Sequence, residues 1–510
     1  MNSSILYKTV GVVLLLTVGC AITAFSNFRT GAIALVFLGC TVFSFLYPRY
    51  SLWLLLLYMP FSGTVIYSAL GEGHPLYHLV IDTLYFPATI ALTRKRGLVR
   101  DFLQQVRPLL PIFATLILLC CLTLVFVNST QPYTTGNNPL LIGLLGFKVL
   151  VGHVPLIFCG YYLIVTEDDL LTFNRLQVAI VIICCSLLLV QYRLLVTGIC
   201  SGSIGLYEYA LNKATLDARC LVGGSLLYNP EWDLIRLPGT FVSPWQWGWF
   251  LISGAFLTYA CYTSDTTHRW RFVSAIAMVY VAIATLISGQ RVAVVLVPIV
   301  WLVLVFLTDS RRRWIPLKLA ISSFLAVSLA SQFINIQDPI KSLIERWQAS
   351  PPYLFIVEQF DWIINQKEGW LGNGLGRGTN AVRVFGNMTS LGTDYANIET
   401  FYAKLLYEIG LLGMLTFLIL VSILVWLTWK AYRSLTQPHL KRLGICFWVF
   451  VVMISYNTFY YPLDVDPVAV YYWLLAGILL KLPQLDRKQP LRDELFCDFE
   501  AKKRNFWWYK

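Results

Sequence analysis

Charge is what this chain has least of. Asp, Glu, Lys and Arg make up 13% of its 510 residues, where a soluble domain carries about 25%. Hydrophobic residues make up 57%, and the mean hydropathy is +0.65. That balance excludes a soluble enzyme, a disordered chain, a collagen and a coiled coil. Strong period-two alternation is lacking, which argues against an outer-membrane barrel. The short basic loops lack a nucleotide-binding fingerprint.

What is present is a series of long apolar segments. A helix needs about 20 apolar residues to cross a bilayer. Fourteen candidates lie near 7–25, 31–47, 51–69, 76–93, 108–127, 147–165, 176–196, 241–262, 272–288, 292–308, 315–333, 400–428, 443–460 and 468–482. Pro60 predicts a kink in the third, and Asp82 interrupts the fourth. The first resembles a signal peptide, with Lys8 before the run and Cys20 at its end. A second apolar segment follows almost at once, which favours an uncleaved span. The expected fold is all-α: a polytopic bundle of about 14 spans (12–14), with residues 1–482 forming the transmembrane domain and 483–510 a solvated cytoplasmic tail.

The net charge of +12 is explained by the membrane, with no nucleic-acid partner. With the N-terminus inside, 26 of the 39 Lys and Arg residues fall on the inner side, as the positive-inside rule requires. They include Arg49, Arg94-Lys95-Arg96, Arg175, Arg311-Arg312-Arg313 and Lys430. The C-terminus is then also inside, and two long loops, 197–238 and 334–399, are outside. In the second, Asp338-Pro339 is a helix start, followed by Ile340, Leu343, Ile344 and Trp347 at helical spacing. Ile356, Val357, Phe360, Ile363 and Ile364 mark a second amphipathic stretch. Two such helices either roof a cavity or pad the outer surface.

Charges at the edges of spans are candidates for function. Arg236 opens Arg236-Leu237-Pro238-Gly239-Thr240-Phe241, and Arg291 closes the turn Ser288-Gly289-Gln290-Arg291. An arginine fork suits phosphate oxygens; the alternative is snorkelling to the interface. The run Gly372-Asn373-Gly374-Leu375-Gly376-Arg377-Gly378 is either an anion nest beside Arg377 or a flexible turn. Glu399 stands at the mouth of the span from 400, sharing a face with Tyr402. Glu408 lies about 13 Å deeper at helical rise, where an ion pair with Lys404 is expected. Asp464 and Asp466 are read as a turn cap or a cation site. His74 and His78 are interfacial, and Asp82 and Lys148 are intramembrane charges without an assigned partner. Of the 12 cysteines, only Cys200 and Cys220 share an outer compartment, where a bridge is favoured.

These motifs resemble the superfamily of bacterial O-antigen ligases and O-antigen or exopolysaccharide polymerases. The resemblance runs from Arg236-x-x-Gly-Thr-Phe through Ser288-x-x-Arg291 and the glycine turn to Glu408-x-Gly410-x-x-Gly413. It implies a glycosyltransferase in the bacterial plasma membrane, with its active site on the periplasmic or outer face. Its substrates would be an undecaprenyl-diphosphate-linked glycan donor and a glycan acceptor, with no cofactor and no metal. Family ligases carry a His-Asn pair nine residues before the glutamate; this chain has Glu399-Thr400, which favours the polymerase side. On that reading Glu399 is the general base. Arg236, Arg291 and Arg377 bind the diphosphate, supported by Gly374, Gly376, Tyr402 and Glu408. The alternatives are an O-antigen ligase acting on lipid A-core and a lipid-linked oligosaccharide flippase.

Overall fold

The computed structural model describes residues 28–69, 79–94, 96–131, 138–205, 214–308, 337–349, 351–366, 369–378 and 398–506. The described chain is mostly helical. In order, the helices are α1 (Phe28–Leu46), α2 (Pro48–Tyr58), α3 (Val80–Thr93), α4 (Arg96–Val106), α5 (Leu109–Thr123), α6 (Pro139–Val151), α7 (Leu156–Leu163) and α8 (Glu167–Val196). A small hairpin follows, β1 (Leu227–Asn229) and β2 (Leu234–Arg236). Then come α9 (Pro244–Ser264), α10 (His268–Ile287), α11 (Arg291–Thr308), α12 (Gln337–Ala349), α13 (Pro352–Gln366), α14 (Phe401–Arg433), α15 (Pro438–Tyr456) and α16 (Val468–Phe506).

Nine stretches among the described residues are long and apolar enough to cross a membrane. Twelve of the fourteen predicted segments correspond to described helices; 7–25 and 315–333 lie outside the described residues, as do His74 and His78. Boundaries differ from the sequence reading in several places; the span expected at 176–196 already begins at Glu167, under a Thr166 capping box. The span expected at 147–165 begins at Pro139, where Asn138 caps it by accepting from Leu141 N at 3.0 Å, and it is broken at 152–155 before α7. The last helix continues past Leu482, with Leu485 and Asp486 buried; the chain just after 482 is therefore packed, not solvated.

The core is set by small residues and aromatics. A β-carbon at Gly160 would collide with the Leu474 carbonyl, and one at Gly477 with the Ile157 carbonyl. Reciprocal glycines thus let α7 and α16 approach backbone to backbone, as small residues do between membrane helices. Helix α9 is buried along nearly its whole length. The Pro60 kink appears as a 3-10 turn at Met59–Phe61, because proline removes a helical donor. Thr64 N donates to the Thr240 carbonyl at 3.1 Å, which leaves the Pro60 carbonyl to accept from Thr240 Oγ1 at 2.5 Å.

Loops sort into two ends. At one, Arg49 pairs with Asp169 at 2.5 Å. Nearby, Arg175 clamps Asp265 through Nε and Nη2 at 2.8 and 3.0 Å, and Asp486 accepts from Thr436 N at 2.8 Å. Asp265, between α9 and α10, is buried, which opposes its charge. The Arg175 fork and the Thr267 N–H outweigh that and hold its carboxyl below the usual range. At the other end meet the hairpin, the 288–291 turn, the glycine turn, α12, α13 and the 457–467 loop.

Candidate functional site

The first cluster is built on the hairpin. Strands β1 and β2 pair antiparallel with Leu227 opposite Arg236. The segment before them is tied to the stretch just after α8 by a Cys200–Cys220 disulfide, and to α8 itself by Gln191 Nε2, which donates to the Cys220 and Val222 carbonyls at 3.0 and 2.7 Å. Beyond β2, Leu237 N donates to the Ser288 carbonyl at 3.1 Å. Gly289 has φ +66°, and a β-carbon there would strike the Ile235 carbonyl. Only glycine fits this left-handed contact. It brings the end of β2, Arg236, against the start of α11, Arg291. Both guanidinium Nε atoms are buried, and that of Arg236 has no hydrogen-bond partner among the described residues. Gly239, Thr240 and Phe241 do not reach outward; they dock on the Pro60 kink and against Trp247.

The second cluster surrounds the head of α14. Helical geometry ends at Gly410, with φ +68° and ψ −177°, and resumes beyond it. The glycine turn packs into this break. A β-carbon at Gly410 would strike the Trp370 carbonyl, and one at Gly372 would lie 2.6 Å from Gly410 N. Four of the turn's N–H groups have acceptors within the protein. Asn373 N donates to the Tyr407 carbonyl at 2.7 Å and Gly374 N to the Glu408 carbonyl at 3.2 Å. Leu375 N donates to Asn128 Oδ1 at 2.9 Å and Gly378 N to Glu408 Oε1 at 2.8 Å. The group seated in this turn is the buried Glu408 side chain. Arg377 is partly exposed beside it.

The pair expected between Lys404 and Glu408 is replaced. Lys404 Nζ is bonded to Asp464, both nearly fully buried. Asp466 lies 3.2 Å from His153 in the broken span. Asp82 and Lys148 are each other's partners at 2.8 Å, and Tyr85 Oη donates to Asp82 at 2.9 Å. Both aspartates of the 464–466 loop thus face cationic or imidazole groups. Among the described residues no cluster of three or more His, Cys, Asp or Glu could hold a metal ion.

Glu399 is half-buried at the mouth of α14. Gln359 of α13 fastens the residues that lead into this helix, its Oε1 accepting from Glu399 N and Thr400 N at 3.0 Å each. Ile363 of α13 packs against Ala403, Leu406 and Tyr407. Helix α12 reaches the other cluster, where Lys341 pairs with Asp233 beside β2. The two amphipathic helices therefore lie over both clusters. Tyr402 is committed to α15, its hydroxyl donating to the Ser455 carbonyl. A run of contacts links the clusters: Gln290 packs on Gly248, Trp249 Nε1 donates to the Tyr460 carbonyl at 3.2 Å, and Phe401 N donates to the Thr458 carbonyl at 2.6 Å.

Asn128, Gln131 and Gln359 were missed in the sequence. Asn128 and Gln131 position the glycine turn, Gln131 through its Nε2 bond to the Asn373 carbonyl at 2.9 Å. Their only signal is an uncharged polar side chain at the end of an apolar run or on an amphipathic helix. The class the fold defines is a mostly helical membrane protein with two polar clusters at one end, one holding Arg236 and Arg291 and the other Glu399, Lys404, Glu408 and Asp464. No protein-family model and no curated protein matches the chain.

Proposed function

We propose that this protein is a membrane glycosyltransferase that polymerises or transfers glycans carried on undecaprenyl diphosphate, with fourteen spans, both termini inside and the site facing the periplasm or exterior. The observation that carries this reading is the meeting of Arg236 and Arg291 across one backbone contact, at the same end as the half-buried carboxylate Glu399. Two forks at the membrane edge suit a diphosphate, whose charge grows as it leaves. Glu399 takes the proton of the acceptor hydroxyl. The acceptor oxygen bonds the anomeric carbon, the carbon–phosphate oxygen bond breaks, and the diphosphate departs with the electron pair. Attack opposite the leaving group inverts the anomeric centre. Arg377, on the glycine turn, extends the clamp. Gly374, Gly376 and Glu408 hold that turn against the α14 break, and Tyr402 fastens the head of α14. Helices α12 and α13 exclude water.

One observation favours a second reading, a lipid-linked oligosaccharide flippase. The span 139–163 is broken beside His153, with the Asp82–Lys148 pair nearby, and broken helices with paired charges occur in transporters. Mass analysis of lipid-linked glycans in a deletion strain decides. Single repeat units on the outer leaflet are expected for a polymerase. Full-length chains lacking surface attachment would mean a ligase, and units retained on the inner leaflet would overturn the enzyme reading for the flippase.

A further inference from the structure

The end of the bundle that carries Arg49, Arg175 and Asp486 holds a groove of about 430 Å³ between α3, α4 and the start of α5. Helix α4 is short and amphipathic. Its buried face, Phe102 and Val106, packs inward, with Phe102 5.2 Å from Phe158 and 5.4 Å from Tyr161 between ring centres. Gln105 Nε2 donates to Tyr161 Oη at 3.1 Å. The helix is therefore locked in place through one face. The adjoining face lines the groove, where Val99, Leu103 and Leu110 form an apolar wall beside Arg100, Gln104 and Arg107.

No carboxylate lines this groove, and neither arginine has an ion-pair partner among the described residues. The single acid of α4, Asp101, is not among the residues that line it. Leu103 and Leu110 are 40% and 41% exposed. An apolar wall alone would face any lipid tail. An apolar wall with two unpaired forks at its edge selects a tail that carries an anion, because basic pockets between membrane helices hold acidic headgroups and arginine pairs with phosphate through two parallel bonds.

We propose that this groove is a binding site for an anionic phospholipid of the adjoining leaflet. Arg100 and Arg107 take the phosphate, Gln104 donates to it, and the acyl chain lies along Val99, Leu103 and Leu110. The site is separate from the arginines of the proposed transferase and does not depend on that reading.

The test uses the full chain in nanodiscs of phosphatidylcholine mixed with phosphatidylglycerol, followed by native mass spectrometry of retained lipid. Wild type is expected to keep phosphatidylglycerol in preference to phosphatidylcholine. Arg100→Gln/Arg107→Gln is expected to lose that preference on the order of thirtyfold, at roughly a fivefold contribution per basic residue. Lys430→Gln/Arg433→Gln removes two cations at the same end but outside the groove, and is expected to keep it. An intact preference in the first variant, or an equal loss in the second, overturns the site in favour of diffuse surface charge. Displacement of the lipid by millimolar inorganic phosphate overturns the lipid assignment in favour of a free-phosphate site. An intact Cys200–Cys220 bridge and a monodisperse gel-filtration peak confirm that each variant is folded.

Discussion

Lys404 is bonded to Asp464, sixty positions away in sequence, and not to Glu408, one helical turn away on its own helix. The glycine turn explains the choice. Its Gly378 N–H donates to Glu408 Oε1, and the lysine neutralises the buried aspartate of the 457–467 loop. Removing one partner of a buried pair costs about 3–5 kcal/mol, since the other charge stays desolvated. Lys404→Met is expected to lower the melting temperature in detergent strongly, and Lys404→Met/Asp464→Leu to recover most of the loss. An unchanged melting temperature for the single variant would show that the pair does not hold α14 to the loop.

The arginines are expected to act through their forks. Arg236→Ala and Arg291→Ala should abolish polymer formation while membrane insertion stays intact, and lysine at either position should rescue poorly because it lacks the planar fork. Normal polymer from either alanine variant at equal protein level would sink the diphosphate clamp.

A general base contributes about 10²–10⁴-fold. Glu399→Gln keeps the size and the hydrogen-bonding capacity and loses the proton acceptor. Polymer should fall by that order while donor binding persists. Glu399→His supplies a ligase-type base and should restore part of the activity. Wild-type rates from the glutamine variant would move the base elsewhere.

The Cys200–Cys220 bridge closes a 20-residue separation and stabilises by about 3 kcal/mol in the entropic model. Non-reducing peptide mapping should find the two cysteines linked. Cys220→Ser should lower the melting temperature and reduce activity, since the bridged segment leads into the hairpin that ends at Arg236. Two free thiols in the mapped protein would refute the bridge.

Asp265 contributes a pH dependence of known sign. Its carboxyl in the folded protein lies below the usual range, held there by Arg175 and Thr267 against the opposing effect of burial. Its stabilisation is complete above the unfolded value of about 3.9. It is lost as pH falls through the lower folded value. Melting curves of wild type and Arg175→Gln should therefore differ most at neutral pH and converge in acid. A constant difference across that range would exclude the carboxylate as the cause.

The sequence by itself determined the class. Scarce charge and apolar runs are local properties, and any chain with them must hide its backbone in helices across a bilayer. The amphipathic pattern after Asp338 likewise located α12 and α13, and the compartment count picked out Cys200 and Cys220. The expected partner of Lys404, the start of the span at Pro139 and the packing beyond Leu482 were not legible. Each depends on groups far apart in the chain. A spacing of four residues permits a Lys404–Glu408 pair, but only the tertiary fold brings in the Asp464 carboxylate and the Gly378 N–H that compete for those charges. The same holds for the site. Arg236, Arg291 and Glu399 are visible singly as charges at span edges. Their meeting at one end is decided by contacts such as Gly289 on Ile235 and Gln359 on Thr400, because a packed bundle sets distances that no periodicity encodes.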